Sequence, residues 1–297
     1  MRLLGFNDEL GAPMSQTTTN QKSPAELRRL AWTMRKDIIQ MIAAANSGHP
    51  GGSLSAIDVI TSLYYAVMRH DPKNPTWEDR DRFILSKGHA CPALYAVLGE
   101  QGYFSKDLFP TLRQLGSPLQ GHPELGKLPG AEASTGSLGQ GLSIGLGMAE
   151  GARIQNKDFR VFVMTGDGEL DEGQVWEAAM YAGAKGVDNL VAIVDVNRQQ
   201  LDNTTDQILR LDPLADKWRS FNWHVIEIDG HDFNQILKAF DEAKATKNKP
   251  SVILAHTVKG KGVSFMEDNL EWHGAAPSAE QVAIAMRELA KELEPAE

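Results

Sequence analysis

The stretch VFVMTGDGELDEGQVWEAA, Val161 to Ala179, breaks from an apolar run into Gly166-Asp167-Gly168. It then crowds Asp167, Glu169, Asp171 and Glu172 into six positions. Glycines let a backbone approach a ligand closely, and a helix starting near Glu172 would present free N–H groups to an anion. A second apolar run, NLVAIVDVN, closes at Asn197, 30 residues after Asp167. One carboxylate and one amide oxygen are too few for an all-protein calcium cage. They suit Mg²⁺, which keeps few protein ligands and fills its sphere from phosphates and water. Gly-Asp-Gly alone reads more readily as a tight turn; Asn197 brings the Mg²⁺–diphosphate reading level with it. Glu169 and Asp171 carry no role that the sequence assigns and read as solvated.

Four histidines lie in loops punctuated by glycine and proline: His49 in NSGHPGGS (46–53), His89 in LSKGHACP (85–92), His122 in QGHPELG (120–126) and His273 in EWHGAAP (271–277). A lone loop histidine is usually solvated or structural. Four such loops point instead to a ligand, since imidazole offers a donor and an acceptor near neutral pH. Gaps of 40, 33 and 151 residues between them show no short zinc spacing, and Cys91 is the only thiol. Cys91 reads as a small buried residue rather than a nucleophile. STGSLGQGLSIGLG (134–147) is either a phosphate cradle or a helix start packed on a strand; it lacks the lysine of a nucleotide P-loop. VKGKG (258–262) is equally an anion holder or a solvated basic turn, and leaves Lys259 and Lys261 without a role.

Regular elements must position these groups. Ser23-Pro24 opens a helix, with serine as N-cap and proline in the first turn. Leu27, Leu30, Ala31, Met34, Ile38, Met41, Ile42 and Ala45 then recur on one face until Asn46-Ser47-Gly48. From residue 161 the spacing predicts strands at 161–166, 189–197, 224–229 and 251–258. Helices are predicted at 172–186, 213–221, 233–245 and 278–293. This alternation implies right-handed crossovers and an α/β fold: three layers, a mostly parallel sheet with helices on both faces. Ligands of such sheets bind beyond the carboxyl ends of the strands, where Asp167 and Asn197 can share one crevice. Residues 1–22, polar and rich in Thr, Gln and Asn, read as a flexible tail, and 23–297 as one domain.

The 297 residues are 42% hydrophobic and 23% charged, with a net charge of -9. No basic stripe offsets that charge, which argues against nucleic acid as a partner. No apolar run approaches a membrane span, and the N-terminus has no secretory core. With a single cysteine, a reducing, cytoplasmic setting is expected.

In combination these residues resemble the N-terminal, diphosphate-binding part of transketolase. That family's thiamine-diphosphate motif runs from Gly-Asp-Gly to an asparagine about 30 residues later, as residues 166–197 do here. SGHPG, KGHA, GHPE, TGSLGQG and a late HG follow in the family's order across essentially 23–297. Gly-Asp-Gly to Asn indicates only a thiamine-diphosphate enzyme; the histidine loops narrow it to transketolase and its near relatives. The resemblance implies Mg²⁺, or Ca²⁺ or Mn²⁺ in its place, held by Asp167, the Asn197 side chain and the Gln199 carbonyl. It implies thiamine diphosphate contacted by His89, Gly136, Ser137, Leu138, Gly168, Asn197 and His273. His49, His122 and His273 would be catalytic, serving the donor sugar, and Glu172 would face a subunit interface. Ser137 stands where many members have proline.

The family moves a two-carbon ketol unit from a ketose to an aldose, with the cofactor as electron sink. A full transketolase continues into a pyrimidine-binding domain and a C-terminal domain, and this chain stops soon after His273. The resemblance is therefore to the first subunit of a split transketolase. Such a subunit is expected to work only with a C-terminal partner subunit carrying the pyrimidine-binding domain, as an α₂β₂ assembly, on sugars or sugar phosphates such as pentose phosphates. Alternatives are the α-subunit of a 2-oxo acid dehydrogenase first component, deoxyxylulose phosphate synthase, and a non-catalytic binding module.

Overall fold

The computed structural model describes residues 21–293. The tail expected over 1–22 lies, except for residues 21 and 22, outside the described residues. Five strands form one fully parallel sheet: β1 (Arg82–Leu85), β2 (Val161–Gly166), β3 (Leu190–Val196), β4 (His224–Asp229) and β5 (Ser251–His256), in the order β1-β2-β3-β5-β4. The register sets Gly166 beside Asp195, so β2 and β3 end together.

Each strand alternates between two cores. Phe83, Phe162, Met164, Ile193 and Ile253 face one; Ile84, Val163, Ala192, Val194 and Leu254 face the other. Both faces of the sheet are buried, which is why these strands read as continuous apolar runs. Helices α1 (Pro24–Ala45), α2 (Pro50–Ser62), α3 (Cys91–Gln101), α8 (Phe233–Ala245) and α9 (Ala279–Lys291) supply the first core. Helices α4 (Gln140–Ile154), α5 (Gly173–Lys185) and α7 (Leu214–Ser220) supply the second. A short α6 (Thr205–Ile208) lies in the connection after β3. Among the described residues no helix is long and apolar enough to cross a membrane.

Helix α1 starts as its sequence dictates. Ser23 accepts from the Glu26 N–H and Glu26 returns to the Ser23 N–H, a complete capping box. Two of the expected loops are largely helix. Residues 50–53 open α2, and 140–147 lie in α4. Every residue of α2 is buried, so it has no polar face and no amphipathic period to betray it. Glycines fit α4 and α2 because neighbours come too close for a side chain. A Cβ at Gly141 would stand 2.4 Å from Ser86, and one at Gly51 would stand 2.9 Å from the Trp272 carbonyl oxygen. Cys91 is buried at the start of α3, and burial pushes its thiol up to about 12, which suits packing rather than nucleophilic attack.

Candidate active site

The carboxyl ends of β2 and β3 open into a cleft of about 280 Å³ lined by His49, Lys87, His89, Asp167, Asn197, Lys259 and His273, with Gly136, Leu138 and Gly168 among the walls. Of two other cavities, one larger and one smaller, the smaller shares Asp167 in its lining, and neither holds any of the four loop histidines.

Asp167 is buried where the chain leaves β2. Its carboxylate accepts the N–H groups of Gly168, at 2.8 Å, and Arg198. Burial and the neighbouring Asp195 raise it to about 7, against the pull of those two N–H groups and Lys87. Asn197 follows β3; its amide donates to Asp195 Oδ2 at 3.0 Å and its Oδ1 accepts the Gln199 N–H at 3.1 Å. The two residues named from the sequence thus line one cleft. The Gln199 carbonyl lies 3.3 Å from the Lys259 ammonium.

Asp195 is the hub beneath them. It is fully buried and accepts from Ser55 at 2.6 Å, from Thr257 and from the Lys87 ammonium. Burial works to raise its carboxyl, and Lys87 with the hydroxyl donors outweighs that, leaving it below the ordinary value. Lys87 also donates to the Gly52 carbonyl at 2.9 Å, so α2 is tied to the same charge.

Glu169 is not solvated. It is buried and spans the ends of three elements. One oxygen accepts from Ser86, after β1, and from the Gly139 N–H at 2.8 Å, at the start of α4. The other accepts the Gly166 N–H at 3.0 Å, at the end of β2. Gly139 itself has φ +79, and a Cβ there would lie 2.7 Å from that of Glu172. Asp171 is half-buried and accepts from Gln200 at 2.7 Å.

Three histidines form a triangle over the cleft. Ring centroids are 5.2 Å apart for His49 and His89, 5.7 Å for His49 and His273, and 5.3 Å for His89 and His273. Burial keeps all three below 6.5, and nearby cations add to it. His49 falls to about 4 and His273 to about 3. Arg113 donates to His49 Nδ1 at 3.2 Å. A guanidinium cannot accept, so His49 carries its proton on Nε2. His122 stands apart: it is exposed and packs against Gly136, outside the cleft lining. Ser137 and Glu172 are also exposed. NMR can check the neutral state of the triangle directly. His49 should titrate with a midpoint near 4, and Arg113→Met should move it up, because removing a neighbouring cation favours the imidazolium. A native midpoint at 6.5 would contradict this.

Residues 27–296 match the family model described as "Transketolase, thiamine diphosphate binding domain". The chain belongs to the transketolase family. It is 45% identical to the 6-deoxy-6-sulfo-D-fructose transketolase subunit SqwG of a Clostridium species, over 90% of this chain and 97% of that protein. It is 43% identical to one of the subunits of the apulose-4-phosphate transketolase of Phocaeicola vulgatus, over 88% of this chain and 92% of that protein. The solved transketolase from Leishmania mexicana superposes with a TM-score of 0.85 at 33% identity, covering 91% of this chain and 42% of that one. The chain thus spans nearly all of the transketolase relatives named as subunits, and under half of the full-length transketolases.

Two lysines stand in this transketolase cleft: Lys87, which has no role in the sequence reading, and Lys259, from the loop that reads equally as an anion holder or a solvated turn. Lys87 and Lys259 are both buried, and each points into the site. Lys259 contacts His273 Nδ1 at 2.7 Å and the Gln200 carbonyl at 3.2 Å, and burial with the nearby Lys87 lowers it to about 8. Its neighbour Lys261 does face outward, toward Glu267 at 3.3 Å. A lysine inside Gly- and His-rich loops, next to a strand end, was the available signal. Among the described residues no group of three or more His, Cys, Asp or Glu is placed to hold a metal.

Proposed function

We propose that this chain is the diphosphate-binding subunit of a split transketolase, transferring a two-carbon ketol unit from a ketose to an aldose once a partner supplies the pyrimidine-binding domain. The strongest support is the meeting of Asp167 and Asn197 with three neutral histidines and an ammonium group in one cleft. In this reading residues 23–297 act as one unit.

The donor set fits the expected groups. Asp167, Asn197 Oδ1 and the Gln199 carbonyl are hard oxygen donors of the kind Mg²⁺ takes, with phosphate oxygens completing its sphere. Lys259 has no carboxylate partner among the described ion pairs, so its charge is available to a diphosphate. Gly168 and the Gly136–Leu138 turn leave backbone free to lie against the cofactor. Thiamine diphosphate, when bound, serves as the electron sink for carbon–carbon cleavage.

The chain's own residues then orient the sugar and handle protons. His49 and His273, held neutral, donate to sugar oxygens without adding charge; His49 does so through Nε2–H. His122, exposed and outside the cleft lining, would serve the donor sugar from the approach to the cleft. Glu172, exposed at the start of α5, faces the partner. The relatives' names include a sulfonated ketose and a phosphorylated one. The assembled pair should therefore be assayed with phosphorylated, sulfonated and unsubstituted ketoses. Transfer of a two-carbon unit to an aldose acceptor is expected from at least one. Decarboxylation of a 2-oxo acid with no ketol transfer would overturn the reading.

A further inference from the structure

Lys259 reaches the cleft because the backbone on either side of it is fastened from behind. Gly260 donates its N–H to the Gly51 carbonyl at 3.0 Å. The Lys261 carbonyl accepts from Arg35 Nε at 3.0 Å. The Val258 N–H donates to His231 Nε2 at 2.9 Å. His231, in the turn between β4 and α8, contacts Asp58 Oδ2 through Nδ1 at 2.7 Å. Asp58 is fully buried and grips Arg35 in a two-pronged pair, at 2.7 and 2.8 Å.

The hydrogen-bond pattern fixes the state of the ring. A backbone N–H can only donate, so Nε2 must present its lone pair. The proton therefore sits on Nδ1 and is directed at Asp58. An imidazolium here would set Nε2–H against the Val258 N–H, donor against donor. The Asp58 carboxylate stays ionised in spite of its burial because Arg35 and His231 outweigh the cost of desolvation. Arg35, Asp58 and His231 come from α1, α2 and the β4–α8 turn, so three separate elements converge on one loop.

We propose that His231 is a positioning residue for the diphosphate cleft: as a neutral, Nδ1-protonated imidazole oriented by the Asp58–Arg35 pair, it accepts the Val258 N–H and so holds the backbone that delivers Lys259. The link to the cofactor rests on the reading given under the proposed function; the anchoring itself does not.

Two variants separate the halves of the interaction. His231→Asn keeps a donor where Nδ1 was, for Asp58, and has no acceptor for Val258. His231→Gln keeps an acceptor near the Nε2 position and gives up the Asp58 contact. Hydrogen exchange of the 256–262 segment is followed in the cofactor-free full chain. Thiamine diphosphate with Mg²⁺ is titrated into the chain assembled with its partner, with Lys259→Met as the control. Exchange at Val258 should speed about tenfold in His231→Asn and stay near native in His231→Gln. Cofactor affinity should fall about tenfold in His231→Asn and in Lys259→Met, while His231→Gln stays within about threefold of native. Native exchange in His231→Asn would overturn the anchor. Faster exchange with unchanged affinity, while Lys259→Met still weakens binding, would overturn the link between anchor and site. Unchanged affinity in Lys259→Met as well would instead overturn the cofactor reading of the cleft, and with it that link.

Discussion

Asp167→Ala should abolish Mg²⁺-dependent binding of thiamine diphosphate to the assembled enzyme, by about a hundredfold or more, roughly 3 kcal/mol. The size follows from what the carboxylate does. It is the charged member of the oxygen set at the ends of β2 and β3, and the other proposed ligands are neutral amides. Truncation also strands the N–H groups of Gly168 and Arg198, which both donate to it. Two losses then coincide: the metal's charged ligand and the hydrogen bonds that shape the Gly-Asp-Gly turn. Titration calorimetry with and without a chelator measures the first, and native affinity in the variant would sink the metal assignment.

Glu169→Ala should lower stability by about 3 kcal/mol and weaken cofactor binding with it. This carboxylate satisfies Ser86, Gly139 and Gly166 at once. Alanine would leave three donors in a buried site without their acceptor, each at a cost of about 1 kcal/mol or more. It would also free the start of α4 from the ends of β1 and β2, the backbone on which Gly136 and Leu138 approach the cleft. Glu169→Gln, which keeps the acceptor oxygens in part, should recover part of the loss. Urea unfolding of the full chain gives the comparison. A native midpoint and slope for Glu169→Ala would show that the clamp contributes nothing.

The second half of the fold was the legible half. Strands β2 to β5 and helices α5, α7, α8 and α9 lie within two residues of the sequence reading, because short apolar runs and amphipathic segments alternate there. Helix α8 is the clearest case: Phe233, Ile236, Ala239, Phe240 and Ala243 face the core at helical spacing. Helix α1 apart, the first half hid its structure for physical reasons. Helices α2 and α3 are buried nearly all round, and even Ser53, Ser55, Asp58 and Thr61 of α2 are buried, so no solvent-facing side marks them. Helix α4 carries Gly141, Gly145, Gly147 and Gly151, poor helix formers, of which the first two are demanded by contact with Ser86 and Val163. Strand β1 is only four residues long.

The site divides in the same way. Asp167 and Asn197 could be named because each ends an apolar run. His49, His89 and His273 could be named as a set, and their triangle brings 49, 89 and 273 together across long gaps in the chain. Lys87, Glu169 and the Arg35–Asp58–His231 chain could not, and Lys259 could be read only as one of two even possibilities. Their significance lies in burial and in partners far away in sequence, as with Lys87 and Asp195, 108 residues apart. A buried charge is costly unless paired, but the pairing is a property of the folded chain and leaves no local pattern.

The central claim is that this cleft is one part of a transketolase site completed by another chain. Ketol transfer should be absent from this chain purified alone and from its partner alone, and should appear when the two are mixed with thiamine diphosphate and Mg²⁺. It should vanish again when the mixed chain carries Asp167→Ala. Robust ketol transfer by this chain alone, or by the pair with Asp167→Ala, would contradict the account.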